Sequence, residues 1–156
     1  MALNLSDLKS TTNGIEVTIR RSKTDQEGTG MLKAIPYGSS PELCPVRALR
    51  AWVDVLGRIE GAVFVRIGKG GHLTSDRLSD RSVALIIKQS VRLAGMKDAE
   101  FAGHSLRSGF VTQAALSGAS DREIMNQTGH KTRTMVDRYV RHISIWQNNA
   151  ATRLGL

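Results

Sequence analysis

Glycine residues that follow apolar stretches of helical spacing are the feature that most limits the fold of this chain. Such stretches end at Gly57, Gly95 and Gly129, and a glycine after the last periodic residue is the usual end of a helix. No apolar run approaches the roughly twenty residues that a membrane span requires. With 156 residues, the chain is the size of one domain that can bury its own core. We therefore expect a packed set of short helices.

Two of the expected helices precede Gly95. One covers residues 40–56, beginning at Ser40 or Pro41, and the other begins at Ser79 or Asp80 and runs to residue 94. Each has apolar side chains at intervals of three and four, which is typical of a helix with one buried face. These faces consist of Val46, Leu49, Trp52, Val53 and Leu56 in the first helix, and of Val83, Ile86, Ile87 and Val91 in the second.

Three further helices are expected after Gly95. The first covers residues 107–116. Ser120 and Glu123 have the spacing of a capping box, which opens a helix ending before Gly129, and Thr132 can cap the last helix. A weakly helical tail, residues 143–156, follows. The apolar side chains are Phe110, Ala114 and Leu116, partly inward, and Met135, Val136, Tyr139 and Val140.

Two segments with strand character precede the helices. Residues 14–20 alternate apolar and polar side chains, with Ile15, Val17 and Ile19 on one face, as in a half-buried strand. A polar, glycine-containing loop follows, and residues 31–36 have the pattern of the return strand of a β-hairpin. The expected fold class is α+β, mainly helical with a small antiparallel β-sheet.

The composition favours a polyanionic partner such as nucleic acid. Twenty-two Lys and Arg residues against fourteen Asp and Glu residues give a net charge of +8, which constrains partners but not the fold. The single cysteine, Cys44, excludes an intramolecular disulfide and fits a reducing compartment; we expect it to be a buried structural thiol. The N-terminus lacks the layout of a signal peptide. We therefore expect a cytoplasmic protein without a membrane span.

Two segments near the C-terminus carry residues suited to chemistry on a phosphodiester. They are His104-Ser-Leu-Arg107 and Gly129-His130, and Tyr139 follows nine residues after the second histidine. A tyrosine can act as a nucleophile, and a guanidinium can donate paired hydrogen bonds to the oxygens where charge accumulates. In a helix, His104 and Arg107 face the same side because they are three residues apart, so they can clamp one phosphate.

Lys23 lies at the tip of the expected hairpin, from which it can reach into a groove and protonate a leaving oxygen. Each of these residues also has an ordinary explanation. Tyr139 lies between Val136 and Val140 on an apolar face and can be a core tyrosine with a solvated hydroxyl. Lys23 and Arg107 can be solvated surface charges. Taken one residue at a time, the sequence leaves both explanations open.

Taken in order, these residues resemble the tyrosine recombinase (phage integrase) family over nearly the entire chain. The resemblance implies a catalytic-domain fold of the kind found in DNA breaking-rejoining enzymes. It rests on Arg21-Ser22-Lys23-Thr24-Asp25, which resembles the family's hairpin with its catalytic lysine; on His104-Ser-Leu-Arg107, which resembles the His-x-x-Arg box; on Thr128-Gly129-His130, which resembles the Leu-Gly-His segment; and on Asp137-Arg138-Tyr139, which resembles the segment of the nucleophile.

The resemblance implies site-specific DNA recombination, including DNA integration, and a role for each residue. Tyr139 would attack the scissile phosphate to form a 3′-phosphotyrosyl bond, and Lys23 would protonate the leaving 5′ oxygen. Arg107 and His130 would hold the phosphate, while His104 would assist proton transfer at the nucleophile. Because the covalent intermediate keeps the energy of the broken bond, neither ATP, nor another cofactor, nor a metal is implied.

The chain departs from the family pattern at its N-terminus. The family has two catalytic arginines, and the first lies upstream of the segment that residues 3–8 match, with an acidic residue and a DNA-clamping domain. We therefore interpret residues 1–156 as a single catalytic domain without its N-terminal part. Losing one donor to a transition-state oxyanion costs about 10²–10³ in rate, so we expect impaired catalysis by this chain alone.

Two other functions are compatible with the sequence. The chain can be a DNA-binding module without catalysis, such as an integrase remnant or a helix-turn-helix-like regulator, although this explains neither His104-x-x-Arg107 nor Lys23. A related topoisomerase would share the tyrosine chemistry. The expected partner is double-stranded DNA, and self-association on DNA is expected through the C-terminal tail, where Trp146 and Leu154 suit docking. Without DNA we expect a monomer or a weakly self-associating species.

Overall fold

The computed structural model describes residues 3–20 and 30–144, together with residues 151 and 154. Within this part the chain forms five α-helices and five β-strands, which confirms the predicted α+β fold class. It divides into two compact units, Met1–Ser79 and Asp80–Leu156. The elements are β1 (Leu8–Ser10), β2 (Gly14–Ile19), β3 (Met31–Pro36), α1 (Pro45–Leu56), β4 (Val65–Ile67), β5 (Leu73–Arg77), α2 (Asp80–Leu93), α3 (Ser105–Leu116), α4 (Asp121–Thr128) and α5 (Arg133–Ser144).

The first unit is built on an antiparallel sheet with the strand order β1-β2-β3. The predicted strand pair is confirmed, because β2 pairs with β3 from Gly14 opposite Pro36 to Ile19 opposite Met31. Alternate residues of β2 are buried and pack against α1 and the residue before it, in a cluster of Ile15, Val17, Cys44 and Val46. Cys44 is buried, as predicted. The tip of the hairpin, residues 21–29, lies outside the described residues.

Two features of this unit differ from the sequence prediction. Helix α1 begins at Pro45 and not at Ser40 or Pro41. The reason is that Cys44 precedes a proline and is extended there, with φ −74° and ψ 115°, whereas a proline suits the first helical position. The second difference is an unexpected hairpin of β4 and β5. Every residue of β5 is exposed or only half-buried. Its sequence, Leu73-Thr-Ser-Asp-Arg77, therefore has no need of the apolar–polar alternation that marks a half-buried strand, and lacks it.

The second unit contains α2 to α5, and its core lies between the last three helices. Val111, Ile124 and Val136 are each at most 1% exposed and form one cluster. Helix α2 ends as predicted at Gly95, where the N–H of Gly95 donates to the carbonyl of Arg92 and the next N–H donates to that of Val91. This is the hydrogen-bond pattern of a Schellman cap. No helix in the described ranges is long and apolar enough to cross a membrane.

The predicted inward faces of α2 and α3 need correction. In α3, Ala114 is half-buried as expected, but Phe110 and Leu116 are 44% and 45% exposed. The interior position belongs to Val111, which lies on one face with Ala114 and Ala115, and these small side chains allow neighbouring helices to approach. In α2 the first half of the predicted stripe is exposed and the second half is buried. The stripe comprises Val83 (43% exposed), Ile86 (50%), Ile87 (9%) and Val91 (7%).

Candidate active site

Three helices of the second unit bring Arg107, His130 and Tyr139 together near the end of α4. Arg107 lies in the first turn of α3, and its Nη1 donates a hydrogen bond of 2.7 Å to the carbonyl oxygen of Thr128. His130 follows two residues later, and Tyr139 lies on α5. The ring centres of His130 and Tyr139 are 5.9 Å apart, and the ring planes are tilted by 33°. Three of the five predicted site residues are therefore neighbours.

The turn between α4 and α5 explains this grouping. The side chains of Ser120 and Glu123 form the predicted capping box at the start of α4. Gly129 ends the helix with φ 75°, in the left-handed region that glycine adopts without steric cost. The chain then enters α5, and Arg133 on its first turn pairs with Asp121 on the first turn of α4 at 2.7 Å. Both ends of α4 are thus fixed relative to His130.

His130 is a buried imidazole beside a positive charge. It is 8% exposed, and its Nδ1 lies 2.8 Å from the hydroxyl oxygen of Thr128. Burial and, to a lesser degree, the charge of Arg107 lower the pKa of His130 from its ordinary value of 6.5. The imidazole is therefore neutral at neutral pH. Among the described residues, no carboxylate forms an ion pair with Arg107, so its charge is available to an anion.

Tyr139 is both a core residue and a partly accessible one. It is half-buried and packs at the edge of the cluster formed by Val111, Ile124 and Val136. The core contact holds the ring, while part of the residue remains exposed to solvent. The two explanations that the sequence left open for Tyr139 are therefore compatible in the folded chain.

His104 lies at the start of α3, which begins at Ser105 and thus two residues earlier than predicted. It is the residue before the helix, with φ −78° and ψ −15°, so it remains about one helical turn from Arg107. Its side chain is exposed, and its carbonyl accepts hydrogen bonds from the N–H and the hydroxyl of Ser108. The structure records no hydrogen bond between its imidazole and another described residue.

Lys23 lies outside the described residues, but the strand that leads to it is firmly anchored. At the end of that strand, Arg20 Nε donates a 2.5 Å hydrogen bond to Asp7 Oδ1, and its Nη2 donates to the hydroxyl of Ser6 at 3.1 Å. The other oxygen of Asp7, which is 3% exposed, accepts the N–H of Asn4 at 2.8 Å. That bond is the main reason why the pKa of Asp7 lies below its ordinary value of 3.8.

Sequence reasoning missed two contributors to these arrangements, Thr128 and the pair of Asp7 with Arg20. A signal existed for Thr128, because a hydroxyl residue stands where the integrase pattern has leucine. No comparable signal existed for Asp7, since its partner is thirteen residues away on a strand whose register the sequence does not give.

Other candidate sites are weaker. Among the described residues, no three His, Cys, Asp or Glu side chains lie close enough to hold a metal ion. The first unit has an open cavity of about 400 Å³, lined mainly by apolar side chains of β1, β2 and α1, and none of the predicted site residues lines it.

Comparison with known proteins points to one family. The sequence matches the model of the phage integrase family over residues 1–144. It is 43% identical over 152 residues to an integrase/recombinase xerD homolog of Selenomonas ruminantium. The match covers 97% of this chain but 45% of that relative, so the chain spans less than half the length of this curated protein.

Proposed function

The chain belongs to the phage integrase family, and from this membership we propose that it cuts and rejoins DNA at specific sites through a covalent bond to Tyr139. The observation that carries the proposal is the grouping of Arg107 and His130 beside the Tyr139 ring. The expected partner is double-stranded DNA, in accord with the net charge of +8. The chain spans less than half the length of its relative. The activity of the whole relative is therefore assigned to this chain only as part of the proposal.

In the proposed first step, the phenol oxygen of Tyr139 attacks the phosphorus of one DNA strand. A free phenol has a pKa of about 10, so its proton must be taken up, and His104 assists that transfer. Negative charge grows on the non-bridging oxygens as the new O–P bond forms. Arg107 donates to those oxygens with its guanidinium. His130, which also contacts Thr128, holds the same phosphate.

In the same step the bond from phosphorus to the 5′ oxygen breaks. Lys23 gives a proton to that oxygen, so that it leaves as a 5′-hydroxyl and the DNA remains attached to the protein by a 3′-phosphotyrosyl bond. A 5′-hydroxyl of another strand then attacks the phosphotyrosine, and Tyr139 leaves with its proton returned. One phosphoester bond is made for each bond broken, so the exchange needs no external source of energy.

The test is covalent capture from a library of nicked DNA duplexes with a randomised central sequence. The nick is placed so that cleavage releases a short fragment, which diffuses away and prevents religation. DNA that stays on the protein after denaturation is sequenced, which also identifies the target. We expect an adduct with the unaltered chain and none with Tyr139→Phe. Tyr37→Phe removes the other tyrosine hydroxyl and should leave the adduct intact.

Two results would contradict the proposal. An adduct that forms equally well with Tyr139→Phe would show that another group is the nucleophile. DNA that is bound by the chain but never becomes covalently attached would favour the binding module without catalysis.

A further inference from the structure

Thr128, the last residue of α4, contacts both Arg107 and His130 of the proposed site. Its carbonyl oxygen accepts the hydrogen bond from Arg107. Its hydroxyl oxygen lies 2.8 Å from Nδ1 of His130 and donates to the carbonyl oxygen of Ile124 at 2.7 Å. One residue that is absent from the predicted catalytic set thus connects the guanidinium, the imidazole and the helix.

The direction of the bond to His130 follows from a count of protons. A carbonyl oxygen can only accept, and a hydroxyl has one proton to donate. Because the proton of Thr128 is used in the bond to Ile124, the hydroxyl oxygen must accept from His130. The Nδ1 atom of His130 therefore carries a proton, and in the neutral ring Nε2 does not.

We propose that Thr128 is a positioning residue that keeps the proton of neutral His130 on Nδ1 and leaves Nε2 as the nitrogen that meets the DNA phosphate. The catalytic consequence rests on the proposed function, whereas the position of the proton does not. Phosphate oxygens only accept hydrogen bonds, so His130 donates to them from Nε2 in its doubly protonated form, which a bound anionic phosphate favours. In that form the hydroxyl of Thr128 still accepts from Nδ1–H and keeps the second N–H directed at the phosphate. The charged and titratable side chains placed against His130 among the described residues are Arg107 from α3 and Tyr139 from α5.

A purely structural role for the hydroxyl predicts something different. A threonine or serine near a helix end often donates to the carbonyl four residues earlier, and such a bond by itself does not fix a neighbouring histidine. The same bond occurs in α2, where Ser90 donates to the carbonyl of Ile86 at 3.0 Å. Ser90→Ala therefore removes the helix bond alone, and Thr128→Val removes the helix bond together with the bond to His130.

The proton position can be measured directly by nuclear magnetic resonance on the 156-residue chain with ¹⁵N-labelled imidazoles. His130 is assigned by the loss of its signals in His130→Gln. We expect the Nδ1–H form in the unaltered chain, in Ser90→Ala and in Thr128→Ser, which restores the hydroxyl. In Thr128→Val we expect a mixture that includes the Nε2–H form. The proposal would be overturned if His130 of the unaltered chain carried its proton on Nε2. It would also be overturned if Thr128→Val kept the proton on Nδ1, as the unaltered chain is expected to do.

The catalytic consequence has its own measurement, the rate of adduct formation in a single turnover at saturating captured DNA. In Thr128→Val the charged ring of His130 loses the acceptor for its Nδ1–H and is no longer held in place. The rate should therefore fall about fivefold to tenfold, the range expected for loss of one hydrogen bond, with DNA affinity unchanged, and Thr128→Ser should restore it. An unchanged rate despite an altered proton position would contradict the catalytic role of Thr128. Absence of any adduct in the unaltered chain would instead contradict the proposed function and leave the proton measurement intact.

Discussion

The Asp7 carboxylate is a buried charge in the first unit, and Asp7→Asn tests how much it contributes to stability. The carboxylate is 3% exposed and accepts two hydrogen bonds, one on each oxygen, from Arg20 and from the N–H of Asn4. An asparagine has one oxygen and one NH₂ group. Whichever way the amide is turned, its NH₂ group faces one of the two donors. The substitution therefore removes one of the two hydrogen bonds, and the remaining bond is made to a neutral oxygen instead of a charged one.

The expected loss follows from the two contacts. A hydrogen bond to a charged group contributes about 1.5–3 kcal/mol, and a buried donor left without a partner costs about 1–3 kcal/mol. The side chain of Arg20 is 61% exposed, so water can replace its lost partner and the salt bridge contributes at the low end. We therefore expect Asp7→Asn to lower the free energy of unfolding by about 2–3 kcal/mol.

Urea unfolding followed by fluorescence of Trp52 measures this loss. Trp52 belongs to the same unit, and its indole donates to the carbonyl of Val63 at 2.7 Å. The other tryptophan, Trp146, is replaced by phenylalanine in every variant so that one reporter remains. Asp76→Asn is the matched control because this carboxylate on β5 is exposed and forms no ion pair with another described residue.

The pH dependence of the free energy of unfolding gives a second check. The pKa of Asp7 is lower in the folded chain than its ordinary value of 3.8, so the folded state binds fewer protons than the unfolded state near that value. The stabilisation is therefore complete above pH 3.8 and is lost as the pH falls through the folded pKa. The difference between the unaltered chain and Asp7→Asn should shrink over the same range. A loss below about 0.5 kcal/mol, the usual effect of a neutral surface substitution, would refute the reasoning.

Three shorter predictions concern the second unit. Because burial and Arg107 lower the pKa of His130 from 6.5, the unfolded state binds more protons below that value; the stability of the chain should fall as the pH drops below about 6.5, and this slope should be weaker in His130→Gln. Arg107→Ala should reduce the rate of adduct formation about 10²–10³-fold, while Arg122→Ala, an exposed arginine of α4, should leave it unchanged. Gly129→Ala should lower the free energy of unfolding by about 1–2 kcal/mol because φ is 75° there, whereas Gly103→Ala, whose added methyl group meets nothing within 4 Å, should have little effect.

The parts of the fold that could be predicted are those that depend on neighbouring residues in the sequence. The capping box at Ser120 and the left-handed glycine at Gly129 are local devices, and both lie where the sequence placed them. The buried face of α3 is a different matter. Apolar side chains occur on several sides of this helix, and only its packing against α4 and α5 selects Val111 over Phe110. A choice of that kind depends on contacts distant in the sequence.

The same distinction applies to the candidate site. Residue type and spacing suggested Arg107, His130 and Tyr139 as partners, and the structure brings these three together. The spacing could not show that Arg107 contacts a carbonyl twenty-one residues away, because that contact requires the turn at Gly129. Nor could it show that the hydroxyl of Thr128 faces His130. The direction of the bond between Thr128 and His130 depends on which acceptor takes the single hydroxyl proton. The structure shows that this acceptor is the carbonyl of Ile124 in α4.

The two proton transfers of the proposed reaction occur at opposite ends of the phosphate, and this separates the role of Lys23 from the others. The leaving 5′ oxygen needs a proton because an alkoxide is a strong base, whose conjugate alcohol has a pKa far above neutral. A sulfur atom in the same bridging position leaves as a thiolate with a pKa of about 8.5 and needs no proton. Lys23→Ala should therefore fail to cleave ordinary DNA but cleave the sulfur-substituted strand at nearly the unaltered rate.

Substitution of the other residues should not be rescued by sulfur. Tyr139→Phe lacks the attacking atom, and Arg107→Ala lacks a donor to the non-bridging oxygens, so both should be defective on either substrate. Lys69→Ala, which removes an exposed lysine of the first unit, should cleave both substrates normally. If Lys23→Ala is equally slow on the two substrates, Lys23 does not act on the leaving oxygen, and its family-derived role must be given up even if Tyr139 proves to be the nucleophile.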